Sequence, residues 1–294
     1  MSQRTRGCAW RGPLAAAAVC AGALLLVPAA LADIVGSPAG SGTKNAGLGG
    51  FKSGEGWTTN KNNVGNPPTF SGASVQITDD VSNEHNTVFY LSPQVVTGAW
   101  IASFTYQVSG TRLADGAAFV IHNDPAGANA GTPQNGGSAL GYLGIDNSVA
   151  VAFNVYSQSN SLHQGTGHVG ETDLLFQSLT LGSSNTTDLG SNHTYPNDPT
   201  VTGTPPFDIT SGDPIQVTLT YDPIAAVLTQ TLLDTATGGT DSYTYNVDIS
   251  LIVGADSRNL VTAVPGTAFV GFTGGTGGSH AIQTFSNFTF IENP

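Results

Sequence analysis

The chain has 294 residues, 39% hydrophobic and 10% charged, with 20 acidic side chains against eight basic ones and a formal net charge of −12. A surface of that sign repels nucleic acid and anionic membranes, which excludes both as partners held by charge. The 38 glycines, the single methionine and the scarcity of Lys and Glu argue against helices, while the apolar fraction is that of a packed core rather than of a disordered chain.

The first 32 residues read as a segment apart from the fold. Arg4, Arg6 and Arg11 form a basic n-region, an apolar run extends from Pro13 to Pro28, and Ala30-Leu31-Ala32 supplies a small-x-small cleavage site. That is the pattern of a secretory signal peptide. The run of roughly 16 apolar residues falls short of the ~20 that a membrane-spanning helix needs, so the expectation is a secreted protein with no membrane insertion after cleavage. Both cysteines, Cys8 and Cys20, lie inside this segment. The domain expected over 33–294 must therefore hold together without disulfides, and about 260 residues bury enough core to do so. Its five basic side chains stand against 20 acids, a balance that suits a neutral ligand.

From Asp33 to Gly72 the chain is rich in Gly and Asn, with Phe51 and Trp57 as anchors onto a core. Ser74–Thr78 and Thr87–Leu91 read as strands joined by the polar stretch Asp79–Asn86. Ala102, Phe104, Tyr106 and Val108 alternate with Ser103, Thr105 and Gln107, the period of a half-buried strand. Ala117–His122 forms another strand, followed by a long loop of Asp, Pro, Gly and Asn. Val149–Phe153 is a continuous apolar run, a buried strand that turns abruptly polar at Asn154, Tyr156, Gln158 and Asn160, with His163 and His168 beyond. A strand ending in a loop of side-chain oxygens is one way a rigid scaffold presents a ligand. Gly182–Pro206 reads as a surface loop. Ile215–Tyr221 alternates again, Val227–Asp234 and Asp241–Asn246 flank a hairpin turn, and Asp248 caps a short helical turn that Gly254 ends. Ala268–Thr273, a glycine loop over Gly274–Gly278 and a strand over Ile282–Ile291 close the chain. One all-β sandwich of two sheets accounts for this order.

Several stretches, in this order, resemble the legume-type (L-type) lectins of the concanavalin A-like family. They are Ala-Asp-Gly-x-Ala-Phe at 114–119, Gly-Tyr-Leu-Gly-Ile at 141–145, Val-Ala-Val-x-Phe-x-x-Tyr at 149–156, His-Val-Gly at 168–170, and Ala-Phe-Val-Gly-Phe-Thr-Gly-Gly-Thr-Gly-Gly at 268–278 before Phe-Ser-Asn-Phe-Thr-Phe at 285–290. The resemblance covers about 200 residues and implies a jelly-roll sandwich of two antiparallel sheets that recognises sugar hydroxyls with loops at one end. It implies that Asp115, after a cis Ala-Asp bond, accepts from two sugar hydroxyls, that Gly141 offers its N–H, and that Gly278 and Ser279 contribute from the last variable loop. Asn154, Gln158 and Asn160 complete the expected carbohydrate site, and Tyr142 or Tyr156 is a candidate stacking face. Edge-to-edge pairing into a homodimer is common in sandwiches of this kind.

The family's metal positions are where the match fails. The glutamate position is Ala152 and the strand aspartate position is Asn154; Tyr156 keeps a carbonyl, Gln158 stands at the asparagine position, and only His168 keeps its type. Calcium prefers six to eight oxygens with carboxylates among them, so Ca2+ at Asn154, Tyr156, Gln158 and His168 would lack the strand acids it prefers, and no transition metal is expected. Asp146, Glu171 and Asp173 are the carboxylates from which a substitute would come. A glycosidase needs two carboxylates about 5–10 Å apart, and none lies between Ser148 and Gly170; Glu171 and Asp173 share a spacing but sit at a loop margin. The leading expectation is a non-enzymatic, carbohydrate-binding, lectin-like protein with glycans or glycoconjugates as partners. The alternative is an extracellular structural or adhesive module that has lost sugar binding, with a glycoside hydrolase a distant third.

Overall fold

The computed structural model describes residues 48–62, 64–131, 137–156, 171–178, 183–193, 208–254 and 266–294. In chain order the strands are β1 (Leu48–Gly49), β2 (Trp57–Lys61), β3 (Thr69–Ser71), β4 (Ser74–Thr78), β5 (His85–Tyr90), β6 (Gln94–Val95), β7 (Trp100–Arg112), β8 (Gly116–His122), β9 (Ser148–Asn154), β10 (Glu171–Ser178), β11 (Ser183–His193), β12 (Ile215–Asp222), β13 (Val227–Asp234), β14 (Thr240–Asn246), β15 (Thr267–Gly275) and β16 (His280–Glu292). They form two antiparallel sheets. The back sheet runs β14-β13-β12-β7-β16-β4-β3 with β1 on β16, and the front sheet runs β11-β10-β9-β8-β15-β5-β2 with β6 on β15. This is the expected jelly-roll sandwich.

The alternating strands build the back sheet because only one of its faces meets the core. On β7 the buried residues are Trp100, Ala102, Phe104, Tyr106 and Val108, and on β12 they are Ile215, Val217, Leu219 and Tyr221, paired directly across the ladder. Their aromatic rings interlock with those of the front sheet: Phe104 and Phe285 meet Phe272 with ring centroids 5.2 and 4.3 Å apart. Phe51 and Trp57 join the same cluster, 5.0 Å from one another, as their anchoring role requires.

The continuous apolar run of β9 has a different cause. Val149, Val151 and Phe153 face the inter-sheet core, whereas Ala150 and Ala152 face a second apolar cluster with Leu140, Tyr142, Ile145 and Leu175. A strand covered on both faces loses its alternation. The cover is made by residues of 128–130 and 139–145, and Gly137–Gly141 lie at the end of the sheet where β8 begins.

Three expectations are corrected. Within the stretch read as a loop over 182–206, residues 183–193 form β11, antiparallel to β10 with register shifts. It is the edge of its sheet, so it needs one partner strand and no alternating apolar face, and its Ser, Thr and Asn composition hides it. Asp173 is not at a loop margin but inside β10, directly opposite Ala152, while Glu171 is the first residue of that strand. Gly274 and Gly275 belong to β15 rather than to the glycine loop, paired with Ala117 and Gly116 of β8. The short helix is as expected: α1 spans Ile249–Gly254, and Asp248 Oδ1 accepts from Leu251 N–H at 3.0 Å.

Candidate functional site

At the end of the front sheet where β8 starts and β9 stops, three connections distant in sequence converge on Asp115. The Ala114–Asp115 bond is cis, as the resemblance implies. The Asp115 N–H donates to Gly275 O at 3.0 Å and its carbonyl accepts from Val155 N–H at 3.0 Å, so β15 and the end of β9 hold its backbone from both sides. Its carboxylate lies between two glycine backbones. A Cβ on either Gly137 or Gly277 would stand 2.8 Å from Asp115 Oδ2, inside contact distance. The Gly137 N–H in turn donates to Thr276 O at 2.9 Å, which ties the two glycine loops together. Asp115 is 1% exposed, so the three segments enclose its carboxylate.

The 277–279 turn beside it carries only glycine and serine. Gly278 is exposed and Ser279 half-buried on the same loop as Gly277, and the turn is closed by Gly277 N–H donating to Ser279 O at 3.0 Å. Gly141 lies four residues beyond Gly137, at φ +68, where a Cβ would stand 2.8 Å from Gly274 O and 2.9 Å from Asn86 O. Asn154 is buried on the face shared with Ala150 and Ala152, and pairs with Gly116, the residue after Asp115. Asp115, Gly141, Asn154, Gly278 and Ser279 are thus brought to one end of the sheet. Gln158, Asn160 and His168 lie outside the described residues. Of the two tyrosines, Tyr142 is fully buried with its hydroxyl on Ser148 Oγ at 2.7 Å, which removes it as a stacking surface. Tyr156 is 38% exposed and remains available.

Two residues of the clasp escape sequence reasoning. Gly137 borders the carboxylate more closely than Gly141 does, and Thr276 is the joint between loops. Neither carries a signal of its own, because a glycine or threonine in a polar loop has no characteristic spacing.

The described residues do not fit the metal pair that the resemblance implies. Ala152 presents a buried methyl where a carboxylate would be required, and Asn154 offers a neutral amide. The nearest carboxylate by register is Asp173 on the neighbouring strand, fully buried opposite Ala152. Among the described residues no three His, Cys, Asp or Glu side chains converge as a metal site.

No family model matches the chain, and no curated protein does. Solved structures do. The lectin from Bauhinia forficata, in complex with GalNAc, superposes with a TM-score of 0.59 at 18% identity, over 84% of this chain and 98% of that one. Arcelin-5, described as a lectin-like defense protein from Phaseolus vulgaris, gives 0.59 at 16% identity over 85% and 99%. Lectin I from Ulex europaeus, in complex with the methyl glycoside of alpha-L-fucose, gives 0.56 at 15% over 85% and 98%. At these identities the likeness establishes the fold, a legume-lectin, concanavalin A-like sandwich spanning nearly the whole of each neighbour.

Proposed function

We propose that this is an exported, non-enzymatic carbohydrate-binding protein whose sugar site is the clasp around Asp115. The observation that carries the reading is the meeting of the 113–116, 137–141 and 275–279 segments on one buried carboxylate. A hexose offers vicinal hydroxyls that donate and accept. A fixed carboxylate takes two such donors, the exposed loop about Gly278 offers backbone N–H groups to the sugar's acceptors, and Ser279 does either. Asp115 as ligand carboxylate and Tyr156 as apolar face match a neutral polyol far better than an anion, which the acidic chain would repel. That lectins of the same fold are seen with GalNAc and with a fucoside supports the class of ligand.

The site is proposed to work without a transition metal and without a calcium ion held by strand carboxylates, since Ala152 and Asn154 do not supply them. Export with cleavage after Ala32 is part of the same proposal, as is a homodimer.

A second reading, a structural or adhesive module, is favoured by one observation only: the loss at Ala152 of the acidic side chain that the resemblance calls for. A glycan array separates the two. The protein is expected to bind a restricted set of neutral glycans and Asp115→Asn to lose them. A folded wild-type sample silent across the array would sink the sugar-binding reading.

A further inference from the structure

The clasp rests on a buried polar strut with a role of its own. Thr276 joins three segments. Its N–H donates to Glu84 O at 2.9 Å, its Oγ1 accepts from Glu84 N–H at 2.9 Å and donates to Val81 O at 2.6 Å, and its carbonyl accepts from Gly137 N–H. Next to it the Gly277 carbonyl accepts from Asn83 N–H at 3.0 Å. The 275–279 loop is therefore held from beneath by residues 81–84, and the Glu84 side chain ties that segment to Asp79 and Asn86 on either side of it. Glu84 is fully buried; Oε2 accepts from Asp79 N–H at 2.6 Å and Oε1 from Asn86 Nδ2 at 2.8 Å.

We propose that Thr276 and Glu84 are the positioning pair of the ligand loop, and that protonation of Glu84 tightens the hold of residues 79–86 on it. This rests on the sugar-site reading for its consequence, though not for its geometry.

A fully buried carboxylate without a paired cation favours its neutral form. The charged and titratable groups around it are Asp79 on its own segment, Lys61 at the end of β2, His85 on β5, and the Asp80–His280 pair at the start of β16, 2.6 Å apart. Asp79 opposes ionisation of Glu84 and Lys61 favours it. Burial lowers the pKa of His85, which disfavours its charged form.

Burial pushes the Glu84 carboxyl up from 4.5 to about 7, against two hydrogen bonds that act the other way. The sign follows directly. An opened segment exposes Glu84 at its ordinary value, so closure takes up a proton: the added hold is fully present below pH 4.5 and is lost as pH rises to about 7. Between pH 5.5 and 8 the closed-to-open ratio falls roughly 30-fold.

Amide hydrogen exchange at Asn83, Thr276 and Gly277, corrected for intrinsic rate, reads that ratio in the whole protein without a ligand. Wild type is expected to lose protection by about 30-fold from pH 5.5 to 8. Glu84→Gln, neutral throughout, is expected to abolish the pH dependence, and His280→Asn, which removes the neighbouring titrating pair, to keep it. Thr276→Val is expected to lower protection at every pH. A wild type with no pH dependence, or a Glu84→Gln protein that retains it, overturns the proposal. Exchange that behaves as expected in a protein silent on the glycan array leaves the strut standing and refutes the sugar site instead.

Discussion

A Cβ at Gly137 would sit 2.8 Å from Asp115 Oδ2, at a backbone φ of +66 that side chains rarely adopt. Gly137→Ala must therefore move either the loop or the carboxylate, and glycan affinity is expected to fall at least tenfold by calorimetric titration while the near-ultraviolet circular dichroism of the core is kept. Asp115→Asn keeps the shape and removes the charge. Hydrogen bonds to charged groups contribute about 1.5–3 kcal/mol, so a loss of roughly 10- to 150-fold is expected, and an unchanged affinity would place the sugar elsewhere. The aspartate was legible in the sequence because Ala-Asp-Gly-x-Ala-Phe is a contiguous motif. Its neighbours Gly137 and Thr276 were not, because the clasp exists only once three loops from distant parts of the chain meet.

Among the elements, those with a regular apolar pattern were legible. β7 and β12 alternate because one side meets the interlocked rings of Phe104, Phe272 and Phe285. β9 was legible for the opposite reason, being apolar throughout because both its faces are covered. β11 and the short β2 and β3 lack either pattern, since an edge strand or a short strand needs little apolar surface. Deleting the ring of Phe272, fully buried among at least three other rings, is expected to cost about 3–5 kcal/mol in denaturant unfolding. At the start of α1, Asp248→Ala is expected to cost about 1 kcal/mol through loss of the cap. The hydroxyl of Ser250, then the Leu251 N–H, hold the Asp248 carboxyl below its usual range. Its support is therefore present above that range and lost as pH falls through the depressed value, which a Tm measured from pH 6 to pH 2 would register against the alanine variant.

For the molecule as a whole, sheet order and closure follow from the pairing of β7 with both β12 and β16 and of β15 with both β5 and β8, contacts far apart in sequence. Strand identities are readable from local patterns; these long-range pairings became expectations only through the resemblance of several short stretches taken together. The proposed export predicts a secreted protein whose N-terminus is Asp33, read by N-terminal sequencing; retention of Met1 or Arg4 would contradict it. Backbone contacts from Gly275 and Val155 fix Asp115, while Ala152 leaves the strand without the acid a metal pair needs. The most direct test is a calorimetric titration of the strongest array ligand into the protein in calcium buffer and again in chelator. Equal affinities are the predicted result, a sugar site held by its own glycines and Thr276. Loss of binding in chelator would contradict the account and require a metal ligand set that Ala152 and Asn154 do not provide.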